Sequence, residues 1–226
     1  MAPVIVDDTL RGELQAPGFD RRCGANFICR PPRHIVDCIG RIQTRLSTTE
    51  PDQYYYPAAD LHLTLFEISH SQPLQAVEQG AQLLMARVGD LVKDLPQFEV
   101  SISGVNLSDR SCTLQLVPDD HHLEYVRETL RQRLARFGYS APPRHSQYSP
   151  HITFVRYLQP LRTTLDAWRS LLDIEWIVTP IRWTVTELWL TWGATWFGMR
   201  SRVTQHGPFG LGLDVPRQPP LFRSSK

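Results

Sequence analysis

Two short segments of the chain carry the same pair of polar residues. One is Asp60-Leu61-His62-Leu63-Thr64-Leu65-Phe66 and the other is Ser149-Pro150-His151-Ile152-Thr153-Phe154-Val155. Each reads His, apolar, Thr, apolar. Side chains of an extended strand alternate between faces, so His62 and Thr64 share one face and Leu63 and Leu65 the other. His151 and Thr153 stand in the same relation to Ile152 and Phe154. Imidazole titrates near neutral pH, so two imidazoles brought together make an acid–base pair. Two hydroxyls beside them can hold a phosphoryl oxygen. The chain has 8 His, so one such segment carries little weight, whereas two matched ones point to a joint site.

The elements around the two segments repeat as well. Apolar residues at helical spacing run Ile35, Ile39, Ile42, Leu46 before the first segment and Leu123, Val126, Leu130, Leu134, Phe137 before the second. Leu74, Val77, Ala81, Leu84, Val88, Leu91 follow the first, entered through Pro73. Leu161, Leu165, Trp168, Leu172 follow the second, entered through Pro160. Alternating strand patterns come next: Phe98 to Val105 and Cys112 to Val117 in the first half, Trp183 to Trp192 and Trp196 to Val203 in the second. A further strand, Gly24 to Arg30, precedes everything else. Helices mixed with hairpins predict an α+β fold. The repeat predicts a single domain over 1–226 with two pseudo-equivalent lobes, about 24–117 and 118–207. Two mainly antiparallel sheets, flanked by helices, would face each other across a central cleft. Pro208 to Lys226 is expected as a C-terminal tail, and residues 1–16 as peripheral.

Composition narrows the function classes. A 42% apolar content with 10% aromatics supports a real core. No apolar run is long enough to span a membrane. Residues 1–16 contain acids and no signal-peptide core, so the expected address is cytoplasmic. Cys23, Cys29, Cys38 and Cys112 lack paired zinc spacing and are expected as reduced, buried thiols. The formal net charge is only +1, which argues against a nucleic-acid-coating protein and for short substrates. No His-Glu-x-x-His or comparable cluster exists, so no metal and no cofactor are expected.

On these residues the chain resembles the two-histidine (2H) phosphoesterases, the superfamily of RNA 2′,3′-cyclic phosphodiesterases and 2′-5′ RNA ligase-like proteins. The resemblance rests on His62-Leu63-Thr64-Leu65, His151-Ile152-Thr153-Phe154 and the repeated element order, and spans about residues 24–207. It implies a phosphodiesterase acting, as a monomer, on RNA ends or small nucleotides without a membrane partner. Catalytic residues are expected at His62, Thr64, His151 and Thr153. One neutral His takes a proton from the attacking water and the protonated one gives a proton to the leaving ribose oxygen. The hydroxyls donate to the non-bridging oxygens. The resemblance gives His62 the acid role and His151 the base role, with a 2′-phosphate product.

Arg156 is a candidate for phosphate binding, although strict alternation points it to the Ile152 face; a strand end or bulge would redirect it. Tyr54, Tyr55 and Tyr56 precede the first segment, and Trp192 and Trp196 flank the last expected turn; any of them could stack on a base. Tyr148 and Arg144 are candidate rim contacts, and His145 could approach the cleft mouth. Two other functions remain open: a phosphodiesterase of a cyclic or 2′-5′ linked signalling oligonucleotide, and a non-catalytic RNA-binding module.

Overall fold

The structure, a computed structural model, describes residues 4–139, 149–172, 181–193 and 203–212. The elements run α1 (Asp8–Gln15), β1 (Cys23–Cys29), α2 (Arg33–Thr49), β2 (Tyr54–Tyr55), β3 (Leu63–Gln72), α3 (Leu74–Met85), α4 (Val88–Val92), β4 (Phe98–Leu107) and β5 (Ser111–Pro118). After these come α5 (His122–Arg136), β6 (His151–Arg156), α6 (Leu165–Leu172), β7 (Arg182–Val185), β8 (Glu187–Gly193) and β9 (Val203–Gly210). The fold is α+β, and every paired strand is antiparallel.

The strands form two groups, β7-β4-β5-β6 and β3-β1-β8-β9. They join where β3 meets β6, at the single registered pair Leu63↔Ile152. The order mirrors itself about this junction, with β3 matching β6, β1 matching β5 and β8 matching β4. The two groups do not follow the two halves of the sequence. β4 and β5 come from the first half but lie beside β6, and β8 and β9 come from the second half but lie beside β1. α3 and α4 carry the chain from β3 in one group to β4 in the other, and the return from β7 to β8 is made without a helix.

Helical spacing in the sequence reads through to burial. Ile35, Ile39, Ile42 and Leu46 of α2 are buried, as are Leu123, Val126, Leu130 and Leu134 of α5. These stripes cover one face of the strands, where Leu63, Leu65, Ile152 and Phe154 are also buried. Each such side chain contributes roughly 1.5–3 kcal/mol when fully removed from water. The opposite face of β3 and β6 is left for polar residues.

Several expectations need correction. Residues 1–16 are not merely peripheral. Asp7 caps α1 by accepting from the Leu10 backbone N–H at 3.0 Å, and Leu10 is fully buried against Tyr54 and Leu158. The long run after Pro73 breaks into α3 and α4 at Ala86–Arg87. The stretch Trp183–Trp192 is two strands, because β7 stays beside β4 while β8 crosses to β1. The buried phase shifts there, from Trp183 and Val185 to Leu188 and Leu190, with Thr186 and Glu187 both exposed where the chain crosses. The last described strand is Val203–Gly210, which includes part of the expected tail, and Leu211 behind it is buried; the strand expected over Trp196 to Val203 lies, except for Val203, outside the described residues. Pro208 fits there because an edge strand has a side without partners. The four cysteines are buried and none is in a disulfide.

Candidate active site

The pair Leu63↔Ile152 sets the site. Both side chains point into the core, at 1% and 0% exposure. Their neighbours therefore face the other way: His62 and Thr64 on one strand, His151 and Thr153 on the other. Antiparallel register extends this pairing so that His62 lies toward Thr153 and Thr64 toward His151. Neither sequence half contains this arrangement alone.

Both imidazoles are tied down in the same way. His62 Nδ1 lies 2.7 Å from the Asp60 carbonyl oxygen, and His151 Nδ1 lies 3.0 Å from the Ser149 carbonyl oxygen. A carbonyl oxygen only accepts, so each Nδ1 carries a proton and donates it. Each Nε2 is then the nitrogen left to exchange protons with a substrate.

Both strands also bulge at the same place. On β6, Thr153 pairs with Thr113 but Val155 pairs with the next residue, Cys112, so Phe154 has no opposite number. On β3, Thr64 pairs with Ile28 but Phe66 pairs with Phe27, which leaves Leu65 extra. Each bulge puts two consecutive apolar side chains into the core: Leu65 and Phe66, and Phe154 and Val155. The alternation is thereby reversed, and the next residue turns to the polar face. That residue is Glu67 on β3 and Arg156 on β6. The bulge is the condition under which Arg156 joins the histidines.

The two bulges are held by side chains from helices. Gln43 of α2 donates from Nε2 to the Phe154 carbonyl at 3.0 Å and to the Tyr56 carbonyl at 2.9 Å. The Tyr56 N–H also donates to the Phe154 carbonyl, at 3.0 Å. Arg127 of α5 donates from Nε to the Leu65 carbonyl at 3.0 Å. Each motif strand is thus braced by the helix that leads into the other one.

The surroundings of the two histidines differ. Register extended from Cys29↔Leu63 puts Arg30 beside His62, and Arg30 donates to the Leu61 carbonyl at 3.0 Å. Burial lowers the His62 pKa to about 4, and the nearby charges of Arg30, His151 and Arg156 push the same way, against the Asp60 carbonyl. His151 pairs instead with Gln115 on β5. Ser149 donates to Gln115 Oε1 at 3.0 Å, and Gln115 Nε2 donates to Thr113 Oγ1 at 2.9 Å. Sequence reading missed Arg30 and Gln115, because only the strand register places them.

Arg156 sits 3.6 Å from an Asp7 carboxylate oxygen, and its Nε is buried without a hydrogen-bond partner. Tyr56 lies against it, but its ring is 3% exposed and packed edge-on to Tyr54 at 5.0 Å. A ring so covered offers no face to a base, so the stacking expected of Tyr56 is not supported by its position. Tyr148, Trp196, Arg144 and His145 lie outside the described residues. Among the described residues no group of three His, Cys, Asp or Glu side chains could hold a metal ion. No described helix is long and apolar enough to cross a membrane.

Comparisons with known proteins give the family and the fold. The family model of the 2′-5′ RNA ligase superfamily matches residues 31–195, and the chain belongs to that superfamily of two-histidine phosphoesterases. Among solved structures, Escherichia coli LigT in apo form is similar with a TM-score of 0.53 and 21% identity, over 85% of this chain and 99% of that one. The Thermus thermophilus protein TT0787 gives 0.56 and 16%, over 85% and 100%. LigT complexed with 3′-AMP gives 0.55 and 20%, over 84% and 98%. No curated protein matches the chain.

Proposed function

We propose that the protein hydrolyses a 2′,3′-cyclic phosphate, or a related RNA-type phosphodiester, to a 2′-phosphate by general acid–base catalysis between His62 and His151. The observation that carries this reading is the meeting of two His-x-Thr pairs on one face at Leu63↔Ile152, each His with its Nδ1 proton already committed. Two free Nε2 atoms flanking one phosphate are what a water attack with a departing ribose oxygen requires. Thr64 and Thr153 donate to the non-bridging oxygens, where negative charge grows, and Arg156 and Arg30 supply positive charge beside them. LigT, which shares the fold, binds the nucleotide 3′-AMP.

The lowered pKa of His62 favours it as the proton acceptor, which leaves His151 as the donor. This reverses the roles implied by the resemblance. An acid must carry its proton before it acts. With a pKa of about 4, His62 would be protonated in roughly one molecule in a thousand at pH 7. As a base it is ready at every pH above that value.

The donor set supplies proton carriers rather than a metal cage, so turnover is expected to persist in EDTA. The test is to incubate purified protein with EDTA and a panel of 2′,3′-cyclic nucleotides, cyclic-phosphate-ended RNAs and 2′-5′ linked oligonucleotides, with product identification. A 2′-phosphate product from the cyclic substrates supports the reading. Loss of all activity in EDTA, restored by one divalent ion, would overturn the mechanism.

A further inference from the structure

We propose that the face of β8 that carries the half-buried Trp189 is a base-binding subsite, with Trp189 as the ring on which a nucleobase of the substrate stacks. The inference rests on the phosphate site proposed above and assigns the direction in which the substrate lies.

The strand register carries the argument. Thr64 pairs with Ile28 on β1, and Ile28 pairs with Trp189 on β8. Paired residues share a face, so Trp189 stands in one row with Thr64, on the side opposite Leu188 and Leu190, which are fully buried in the core. Neighbouring strands are about 4.8 Å apart, so Trp189 is about 10 Å from Thr64 along the row. The ribose between a phosphate and its base spans about one strand spacing, so a base whose phosphate sits at the histidines passes over Ile28 and reaches Trp189. Ile28 between them is buried at 3% exposure, so it offers no contact surface of its own and the half-buried Trp189 is the next side chain of the row that a base can meet.

The ring is held for this task. Trp189 is half-buried, and its Nε1 is turned into the protein, where it has no hydrogen-bond partner. On its far side is Gly207, in a positive-φ conformation at 134°, where a Cβ would come within 3.3 Å of the indole. The missing side chain at Gly207 leaves room for the indole at that point.

The matching row on the other strand group lacks such a ring. Thr153 pairs with Thr113, and Thr113 pairs with Asn106 on β4. A hydroxyl and an amide stand where Ile28 and Trp189 stand in the first row. The base therefore goes toward β8, and the rest of the substrate toward β4 and β5.

The test uses equilibrium binding, which does not depend on turnover. The probes are adenosine 2′-monophosphate and methyl riboside 2-phosphate, the same sugar phosphate with a methyl group in place of the base. The wild type is expected to bind the nucleotide about ten- to hundredfold more tightly than the base-free compound. Trp189→Ala should abolish that ratio while leaving the base-free affinity in place, and Trp189→Phe should keep most of it. Equal binding of both probes by the wild type, or equal weakening of both by Trp189→Ala and Trp189→Phe, overturns the base subsite alone. Failure of the wild type to bind either probe overturns the phosphate site as well.

Discussion

β3 and β6 are built to one plan and then made different at two points. Each carries His-x-Thr, each ties its Nδ1 to the carbonyl two residues back, and each bulges just after the Thr. The neighbour of the His is Arg30 in one case and Gln115 in the other. The residue brought round by the bulge is Glu67 in one case and Arg156 in the other. The shared plan supplies the geometry, with two imidazoles and two hydroxyls facing one point. The differences supply the asymmetry. A symmetric pair of histidines has no built-in donor or acceptor; the burial of His62, with the Arg30 charge beside it pushing the same way, creates the distinction.

The shared part is the easiest to break. His62→Ala and His151→Ala should each lower kcat by about 10²–10⁴-fold while far-UV circular dichroism stays unchanged. The double variant should be little worse than either single one, because proton donor and acceptor act as a unit. Near wild-type turnover in either single variant would remove that His from the mechanism.

The next test concerns the two bulge residues. Arg156→Ala should weaken turnover of the cyclic phosphate by about 10–100-fold, the range for losing a charge-assisted contact of 1.5–3 kcal/mol. Glu67→Ala, at the matching place on β3, should change it by less than about threefold. Gln43→Leu removes the brace at the Phe154 carbonyl and should imitate a large part of the Arg156→Ala defect. Equal effects at Glu67 and Arg156 would mean that the site does not distinguish its two ends.

Much of this plan was legible in the sequence, for physical reasons. Strand alternation put each His and Thr on one face, and helical periodicity picked out the buried stripes of α2 and α5. Arg156 shows where legibility stopped. Its direction depends on one extra residue in β6, and Leu65 and Phe154 look like any other apolar strand residues. Arg30, Gln115 and Trp189 belong to the site through pairing between strands distant in sequence, and no local pattern encodes that pairing. Ile5–Asp7 joined for a similar reason: the backbone bonds from Ile5 to Asp109 and from Asp7 to Tyr157 bring the N-terminal segment alongside the end of β6.

The asymmetry itself is read by pH. If His62 is the acceptor, the acidic limb of kcat/KM reports its free-enzyme pKa and falls near 4. Arg30→Gln gives the first half the neutral amide of the second and removes one cation from His62, so that limb should move toward neutrality. Replacing His151 should delete the alkaline limb from the remaining activity. If the acidic limb disappears with His151 instead, the roles are those implied by the resemblance.

The smallest expected effect is on stability, and it isolates His62 from catalysis altogether. In the unfolded chain this imidazole takes up a proton near its ordinary 6.5, and in the folded protein only near 4. Between these values the unfolded state binds more protons, so lowering the pH favours unfolding. The contribution of the neutral His62 is therefore fully present above about 6.5 and is lost as the pH falls toward 4. At 1.36 kcal/mol for each pH unit, the full loss is about 3 kcal/mol, and less where water reaches the half-buried ring. His62→Gln removes this one titration and leaves the others in place. Urea unfolding at pH 7, 5.5 and 4 should show the variant losing less stability than the wild type over that interval. Parallel losses in the two proteins would mean that His62 takes up its proton as readily folded as unfolded. The charge asymmetry between β3 and β6 would then have no basis in the free enzyme.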